Sequence, residues 1–338
     1  MNKNIRIAIA GVGNCTSALV QAIHYYKSEE NRNGLWHKHV GDYSISDIEV
    51  VDAFDVNETK IGKDLSEAIF AKPNQVKKLV DLPLQNVVVQ KGINNAEDSI
   101  KGNIISSLKK NQVDVFINLI SSGLEDMSSQ YSQIALDANC NFINATTADI
   151  AINRSVVEKY ESKNLIIAGD DLLSQIGGTI FHKGLINLLS QRGVKIEKSY
   201  QLDVGGGEET IRTIDENVRG SKRKIKTDAI KIEKDAPSNL EAGTTDFVEF
   251  LGNKRTSYFS IYGSHFLGSD ITFDIYQRSN DGPNGASVLV DIIRAIQHAK
   301  SKGKKGNVNS ISNFGFKKLL EPMPFTEANS IFEKDFLK

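Results

Sequence analysis

The first clear pattern along the chain is an apolar, β-branched run, Ile5–Ala10, that stops at Gly11. After a second glycine, Gly13, apolar residues recur at helical spacing from Leu19 to Ile23. This pattern predicts a strand, a glycine turn and the start of a helix. Such a turn brings backbone N–H groups and the positive end of a helix close to a bound pyrophosphate. An ordinary strand–helix turn of an α/β protein has the same pattern, so both interpretations stay open here.

Strand-like and helix-like segments continue to alternate up to about residue 171. Strands are predicted at 48–54, 86–90, 113–120, 141–146 and 165–171, and helices at 65–70, 94–110 and 128–138. Strands that alternate with helices predict right-handed βαβ crossovers and a mostly parallel sheet. Each strand ends in small or polar residues, which favours a ligand site at that edge of the sheet.

From about Lys198 the pattern changes. Strand-like segments lie at 199–204, 247–251, 257–262 and 270–277, a polar helix-like segment at 208–218, an interruption at 282–285, a long helix at 286–300 and a polar loop at 301–310. The consecutive strands predict a mostly antiparallel sheet with one face free to pack on a partner subunit. The fold class is therefore α/β: a Rossmann-type doubly wound parallel sheet (1–197 and 285–338) with an inserted α+β domain (198–284) carrying the antiparallel sheet.

Composition narrows the classes of function. The chain has 338 residues, of which 40% are hydrophobic and 25% charged, and its net charge of -1 argues against general affinity for nucleic acids or acidic membranes. Its two cysteines, Cys15 and Cys140, cannot form a disulfide framework. No apolar run approaches the ~20 residues that span a bilayer. We therefore expect a cytoplasmic protein that binds neither nucleic acid nor membrane.

Two features of the first half could carry cofactor or metal chemistry. Asp55 closes the second strand, where a dinucleotide-binding fold holds the adenosine ribose, although it could equally cap the following helix. Its distance from Gly13 exceeds the usual ~20 residues, which an insertion at 25–43 would explain. The pair His37 and His39 lies in that insertion without a nearby cysteine or acidic cluster, so we predict no metal site.

A basic run, Ser221–Lys226, lies in the second half of the chain. Lys222 and Lys226 are four residues apart, which would place both on one helix face, a turn apart. A solvated basic helix face explains this spacing without any function. A nucleic-acid-binding patch is less favoured because no aromatic residues interleave with the lysines.

Short motifs that together resemble one family are spread from Ile5 to about Lys318. They are Gly11–Val20, Ala53–Val56 with Asp64–Phe70, Phe142–Ala145, Gly169–Asp171 with Ser174, Gln175 and Thr179, Leu202–Gly206, Ser221–Lys222 with Lys226–Thr227, and Asp281 with Pro283–Asn284. In this order and spacing they resemble the myo-inositol-1-phosphate synthase family in its short bacterial and archaeal form.

The resemblance implies a homotetramer that cyclises glucose 6-phosphate with bound NAD. In that family a ring hydroxyl is oxidised by the cofactor, the resulting enolate attacks the sugar's own aldehyde, and the hydride returns, so there is no net redox change. Ammonium groups suit this chemistry because in a dry site they stabilise an enolate or alkoxide and can exchange a proton. The implied catalytic residues are Lys222, Lys226, Lys317, Asp171 and Arg255, and the implied cofactor contacts are Gly11, Gly13, Asn14, Cys15, Asp55, Ser121, Asn144 and Asp170.

Four positions depart from the family pattern. Leu173 stands where a lysine is common, Asp203 and Gly207 where asparagines are expected, and Arg255 where a catalytic lysine is expected. Arginine does not release its proton readily, so it could hold a phosphate or an oxyanion but not act as a general acid. Two alternatives therefore stay open: cyclisation of a different sugar phosphate to another cyclitol or carbocycle phosphate, and a non-catalytic NAD-binding sensor. An ordinary dehydrogenase is disfavoured because no His–carboxylate dyad stands out.

Overall fold

The computed structural model describes residues 4–27, 33–94 and 98–337. Within these residues the strands are β1 (Ile5–Ala10), β2 (Ile48–Asp55), β3 (Gln90–Lys91), β4 (Val115–Asn118), β5 (Asn141–Asn144), β6 (Ile166–Ala168), β7 (Lys195–Gly205), β8 (Asn239–Phe247), β9 (Lys254–Ser264), β10 (Asp270–Asn280) and β11 (Gly306–Asn307). The helices are α1 (Asn14–Tyr25), α2 (Leu65–Ala68), α3 (Asp98–Lys110), α4 (Glu125–Ala138), α5 (Arg154–Ser162), α6 (Gly178–Gln191), α7 (Glu208–Ile211), α8 (Glu216–Lys231), α9 (Asp281–Ser301), α10 (Asn309–Gly315) and α11 (Phe325–Phe336). Positions 28–32 of the predicted insertion and 95–97 of the predicted 94–110 helix lie outside the described residues.

Strands β1–β6 and β11 form one parallel sheet in the order β11-β6-β5-β4-β1-β2-β3. Both faces are buried: Ile5, Ile7 and Ile9 belong to the core that includes α1 and α9, whereas Ala8 and Ala10 belong to the core that includes α3 and α4. A strand buried on both faces is apolar at nearly every position, which explains the unbroken N-terminal run. The predicted Rossmann-type doubly wound sheet is confirmed.

Strands β7–β10 form a second sheet in the order β10-β9-β7-β8. The β7–β9 and β9–β10 pairs are antiparallel, whereas β7 and β8 run parallel because α7 and α8 return the chain between them. One face packs on α6 and α8, where Ile186 and Ile230 form a core with β8. The predicted, mostly antiparallel second sheet is confirmed. The domain limits at 198–284 stay a prediction, although β7 already begins at Lys195.

The strand predicted at 247–251 is wrong. The strand of this region is β8, and Glu249–Leu251 forms a short 3-10 turn in which Phe250 is 90% exposed. Small or polar residues occupy most buried positions of β8, so its apolar alternation is weak. The nearby apolar run Phe247–Leu251 was therefore the stronger, misleading signal.

The long helix α9 begins at Asp281, five residues earlier than predicted. The segment Gly282–Gly285 forms its first turn and does not interrupt the pattern. Pro283 is tolerated there because the N–H groups of the first turn have no acceptor within the helix.

Three further predictions needed correction at element ends. The helix predicted at 208–218 is divided at Asp215, whose carboxylate caps α8 by accepting two of its first backbone N–H groups. The loop predicted at 301–310 contains β11, which pairs with β6 at the edge of the sheet. The strand predicted at 86–90 is reduced to the two residues of β3. Among the described residues, none of the helices is both long and apolar enough to cross a bilayer.

Candidate active site

A cavity of about 290 Å³ lies where the two sheets meet. Its first wall is formed by residues that follow the carboxyl ends of parallel strands: Gly13 after β1, Ser121 after β4, Ala145 after β5 and Asp171 after β6. Its second wall comes from the ends of β7, β8 and β9, from α8 and from the first turn of α6. The cavity therefore spans the point between β1 and β4 where the strand order reverses, which is the usual ligand site of such sheets.

The glycine turn leaves room for an anion beside the first turn of α1. Among the described residues, no side chain caps α1 at Gly13, and a Cβ atom placed there would meet none of them within 4 Å. The first N–H groups of a helix attract phosphate groups when they are open in this way. Gly11 has a different purpose: its φ is +96°, and a Cβ atom would lie 2.5 Å from the carbonyl oxygen of Leu119. Only glycine allows β1 to approach the end of β4 so closely.

Asp55 holds the glycine turn and does not line the cavity. One carboxylate oxygen accepts from the backbone N–H of Val12 at 2.7 Å and the other from that of Asn57 at 2.8 Å. The buried Nζ of Lys60 lies 3.8 Å from the carboxylate and donates to the carbonyl of Val12 at 2.8 Å. The side chain of Asp55 is therefore fixed at the end of β2.

The structure places Asn144 and Asp170 in a buried network, not in the cavity wall. Both are completely buried, and the Nδ2 of Asn144 donates to Asp170 at 2.7 Å. The same carboxylate accepts from three successive backbone N–H groups, those of residues 150–152. Burial raises the pKa of Asp170 to about 7, although these hydrogen bonds oppose the rise. Neither residue lines the cavity in this structure, and both side chains hold the loops after β5 and β6, so their contact with a cofactor stays a prediction.

Of the residues that the structure describes, four cationic and three acidic side chains line the cavity. They are Lys222, Lys226, Arg255 and Lys317, and Asp171, Asp203 and Asp281. The structure thus brings together five residues predicted as catalytic from positions up to 146 residues apart.

Three ion pairs connect these side chains. The Nζ of Lys317 lies 2.7 Å from Oδ1 of Asp171 and also donates to the carbonyl of Leu172 at 2.9 Å. Arg255 binds Asp281 through Nη2 at 2.7 Å and through Nε at 2.9 Å. Each pair fixes a cation that would otherwise explore many rotamers, so the charges of the cavity are preorganised.

The third pair, Lys226 with Asp203, is the most buried, since Lys226 is only 13% exposed and Asp203 only 1%. Burial alone would raise the pKa of Asp203, but the charges of Lys226 and Arg255 and hydrogen bonds from Lys226 and Ser257 lower it to about 2. Burial lowers the pKa of Lys226, and the nearby positive charges of Arg255 and Lys317 add to this, while Asp203 opposes it. Asp203 is therefore the main group that keeps this lysine charged.

Lys222 lies one turn before Lys226 on α8, and both side chains line the cavity. The intervening Lys224 points away and pairs with Asp228, with 78% of its side chain exposed. The basic run therefore divides into two cavity-facing lysines and a solvated face. Their spacing on one helix, predicted from the sequence, places both beside the same cavity.

Asn14 and Cys15 lie at the start of α1 and line the cavity. The Oδ1 of Asn14 accepts from the backbone N–H of Gln75 at 2.7 Å, so this side chain ties a neighbouring segment to the glycine turn. Burial, and secondarily Asp281, raises the pKa of the Cys15 thiol to about 12. Cys15 is therefore a packed thiol and not a nucleophile.

Sequence reasoning missed the buried polar groups behind Asp203, a residue that it marked only as a departure from the family pattern. Ser199, Gln201 and Asp203 occupy alternate positions of β7, and all three are buried against α6 beside His182. Three polar residues at a spacing of two, on the face that a strand buries, were the signal that could have identified them. As for His37, its Nδ1 lies 2.5 Å from Oδ2 of Asp291. Within residues 4–27, 33–94 and 98–337 there is no group of three or more side chains suited to a metal ion.

Comparison with known proteins agrees with this architecture. Residues 177–282 match the family model of myo-inositol-1-phosphate synthase. The inositol-3-phosphate synthase of Mycolicibacterium smegmatis is 34% identical over 335 residues, covering 92% of this chain and 92% of the relative. That of Corynebacterium glutamicum is 33% identical over 343 residues, covering 95% of this chain and 94% of the relative.

Among solved structures, that of Ari2 has a TM-score of 0.81 and 27% sequence identity, and the match covers 98% of this chain and 99% of Ari2. The match therefore extends over both sheets. With about one residue in three identical to the two bacterial synthases over nearly its whole length, the chain belongs to the inositol-3-phosphate synthase family.

Proposed function

We propose that the chain is an NAD-dependent isomerase of the intramolecular lyase type, which cyclises glucose 6-phosphate to myo-inositol 1-phosphate. The observation that best supports this proposal is the gathering of Lys222, Lys226, Lys317 and Arg255 around one cavity beside an open glycine turn. Cyclisation of a sugar phosphate passes through negatively charged oxygens, and fixed cations stabilise them most strongly in a site with little water.

The residues around the glycine turn fit a dinucleotide. The open N–H groups after Gly13 would face the pyrophosphate, Asn14, Cys15 and Ser121 would lie along the cofactor, and Asp55 ends β2, where the ribose hydroxyls bind in this fold. When bound there, NAD would supply a hydride acceptor that later returns the hydride, so the reaction has no net redox change. Gly11, Asn144 and Asp170 lie behind the cavity wall, so their part in binding the cofactor would be to support the backbone around it.

Each of the charged side chains would have a separate role in the reaction of the sugar. Lys222 and Lys226 present two ammonium groups from α8 toward the oxygens that become negative. Lys317 and Asp171 form a hydrogen-bonded acid–base pair that can pass a proton between substrate and carboxylate. Arg255 does not release its proton readily, so it binds the phosphate or an oxyanion while Asp281 holds its guanidinium in place.

The charge balance of the cavity favours a phosphate monoester. The four cations and three carboxylates found among the described lining residues leave one net positive charge before a ligand enters. A sugar phosphate carries a charge of about −2 at neutral pH, so its binding would make the net charge of the cavity negative. Its phosphate would bind cations that their carboxylates already orient.

We also propose a homotetramer that assembles through the outer face of the second sheet. On this face Tyr200, Tyr258 and Tyr276 form an aromatic row, with ring centroids 5.8 Å and 4.9 Å apart. Tyr276 is 73% exposed and the neighbouring Leu202 is 39% exposed, which is unusual for a face that meets only water. Light scattering would show four chains per particle, whereas a stable monomer at micromolar concentration would refute this part of the proposal.

A defined incubation tests the reaction. The purified chain receives NAD and glucose 6-phosphate, and chromatography with a mass detector follows inositol phosphate; omission of NAD is the control. Product that depends on NAD supports the proposal. Absence of product, with correctly folded protein that binds NAD, would reject it.

A second candidate is cyclisation of a different sugar phosphate. It is favoured by Asp203 and Arg255, which replace residues expected in the family and which both touch the charged wall of the cavity. The same incubation with a panel of aldose and ketose phosphates separates the two candidates. Faster conversion of another sugar phosphate than of glucose 6-phosphate would select the second.

A further inference from the structure

We propose that a buried hydrogen-bond chain, Ser199–His182–Gln201–Asp203, is a positioning device that fixes the ammonium group of Lys226 in the cavity; its catalytic meaning rests on the proposed function. The members come from α6 and β7, and none of the four side chains is more than 3% exposed. Only the last link, between Asp203 and Lys226, reaches the cavity wall. The first three residues are therefore positioning residues and do not touch a ligand.

The links of the chain are continuous. The Nε2 of His182 lies 2.7 Å from Oγ of Ser199, and its Nδ1 lies 3.3 Å from Oε1 of Gln201. The Nε2 of Gln201 donates to both oxygens of Asp203, at 2.9 Å and 3.0 Å. The Oδ2 of Asp203 then accepts from Nζ of Lys226.

The chemistry of each group fixes the direction of donation. Gln201 uses its NH₂ group for the carboxylate, so its carbonyl oxygen faces the imidazole and can only accept. His182 must therefore donate from Nδ1. Burial lowers the pKa of His182 to about 4, so the ring is neutral, and with the proton on Nδ1 its Nε2 can only accept. The hydroxyl of Ser199 lies within reach of two acceptors, Nε2 of His182 at 2.7 Å and the carbonyl of Ser260 at 3.1 Å, and in this tautomer its one proton goes to the nearer Nε2. Every link consequently donates toward Asp203.

Asp203 receives donors from several sides, which favours its ionised form. Besides Gln201 and Lys226, the hydroxyl of Ser257 donates to its Oδ1 at 2.6 Å. The first turn of α6 lies against the same carboxylate, since a Cβ atom on Gly178 would come within 3.2 Å of Oδ1. That close approach places the positive end of a helix of 14 residues near the carboxylate.

The other groups that face Lys226 make this carboxylate necessary. Arg255 of β9 and Lys317 of the segment after α10 are positive and act against the ammonium charge, and Lys222 adds a further cation on the same helix. Thr244 of β8 offers only a hydroxyl, at 3.5 Å. Without an ionised Asp203, Lys226 would be a buried ammonium among like charges, which favours loss of its proton. The chain thus makes Lys226 a fixed cation and not a general base.

Competitive labelling measures the pH at which Lys226 loses its proton, and it needs no substrate. The full-length protein is acetylated with trace acetic anhydride across a pH series, and peptide mass spectrometry follows Lys226, with Lys224 as the internal standard on the same helix. In Asp203→Asn the pH midpoint for Lys226 falls, and its labelling near neutral pH rises about tenfold or more relative to Lys224. In Gln201→Leu the midpoint moves in the same direction by less.

The control variant is Asp52→Asn, which removes another buried carboxylate that is bonded to Ser107, Asn111 and Gln90. Its Lys226 midpoint stays at the wild-type value. An unchanged midpoint in Asp203→Asn would overturn the proposal. A change in the limiting rate of Lys226 acetylation without a change in its pH midpoint would overturn the proposal as well, because that rate reports only how accessible the lysine is.

A second measurement on the unaltered protein covers the case in which Asp203→Asn does not fold. Protein with ¹⁵N-labelled histidine is examined by solid-state NMR, and the signal of His182 is assigned by its loss in His182→Gln. The chain requires a neutral ring with the proton on Nδ1 at neutral pH. A proton on Nε2, or a charged ring, would overturn the proposed direction.

Both measurements separate this inference from the proposed function. They use no sugar phosphate, so a protein that fails to form inositol phosphate can still confirm or refute the chain. Conversely, inositol phosphate formation together with an unchanged Lys226 midpoint in Asp203→Asn would leave the cyclase intact and remove only the positioning device.

Discussion

Replacement of Lys317 by methionine is the sharpest test of the charged cavity wall. Methionine keeps most of the length and apolar volume of lysine but removes the ammonium group. In the structure that group binds Oδ1 of Asp171 and the carbonyl of Leu172, and the lysine and aspartate side chains are only 12% and 16% exposed. Lys317→Met therefore removes a preorganised cation and leaves a half-enclosed carboxylate without its partner.

The expected effects on catalysis and on stability differ in size. Loss of one preorganised donor to a developing oxyanion typically costs about 2.7–4 kcal/mol in the transition state, so turnover should fall about 10²–10³-fold. Loss of a hydrogen bond to a charged group costs about 1.5–3 kcal/mol when it is buried. Because both side chains retain some contact with water, we expect the lower part of that range for the free energy of unfolding.

The adjacent lysine provides the matched control. Lys318 donates to the carbonyl of Thr147 at 2.8 Å and pairs with Asp149, and it does not line the cavity. Lys318→Met should keep turnover within about twofold of wild type. Turnover is measured as inositol phosphate formed at saturating NAD, well below the unfolding temperature of each variant. Equal losses in both variants, or more than a tenth of wild-type turnover in Lys317→Met, would refute the assignment.

Four further predictions follow from individual contacts. Gly13→Ala should fold, with a loss of about 0.5–1 kcal/mol in the free energy of unfolding. Calorimetry should show that it binds NAD at least about tenfold more weakly, because its Cβ enters the space left for the pyrophosphate. Gly11→Ala should instead lose about 2 kcal/mol or more in chemical unfolding, because it combines a positive φ with a clash against Leu119. Cys15, with its pKa raised to about 12, should react with iodoacetamide near pH 8 at least about a hundredfold more slowly than a free cysteine; rapid alkylation of the native protein would contradict this. The pKa of Asp203 is lowered to about 2 in the folded chain, so the ionised carboxylate contributes fully to the free energy of unfolding above the unfolded pKa of ~3.9. This contribution is lost as the pH falls toward 2, so the free energy of unfolding should fall less in Asp203→Asn than in the wild type between these pH values. Equal losses in the two proteins would contradict the assignment.

The fold was largely predictable because its strands and helices have different apolar periods. Strand β1 is buried on both faces and therefore shows an unbroken apolar run, and α9 carries its apolar residues at helical spacing. The predicted element bounds were wrong where apolar periodicity does not determine the structure. Strand β8 is buried through Leu240, Ala242 and Thr244, which give little apolar contrast. At the start of α9, Pro283 looked like an interruption because a first turn tolerates proline that a helix interior does not.

The candidate site was predictable in its members but not in its pairings. The spacing of Lys222 and Lys226 on one helix is local information, and the geometry agrees with it. The partners are not local: Asp203 lies 23 residues before Lys226, and their contact depends on how α8 packs across the second sheet. Sequence reasoning marked Asp203 only as a departure from the family pattern. Its role as the counter-charge of a buried lysine became visible only once the two elements were packed together.

The central claim is that a sugar phosphate is cyclised in this cavity, with NAD accepting a hydride from the sugar and later returning it. The most direct measurement follows inositol phosphate and NADH together, with glucose 6-phosphate in large excess over NAD. The account predicts many molecules of inositol phosphate for each NAD and no accumulation of NADH. NADH that accumulates in step with sugar consumption would contradict it, and so would bound NAD that supports no product.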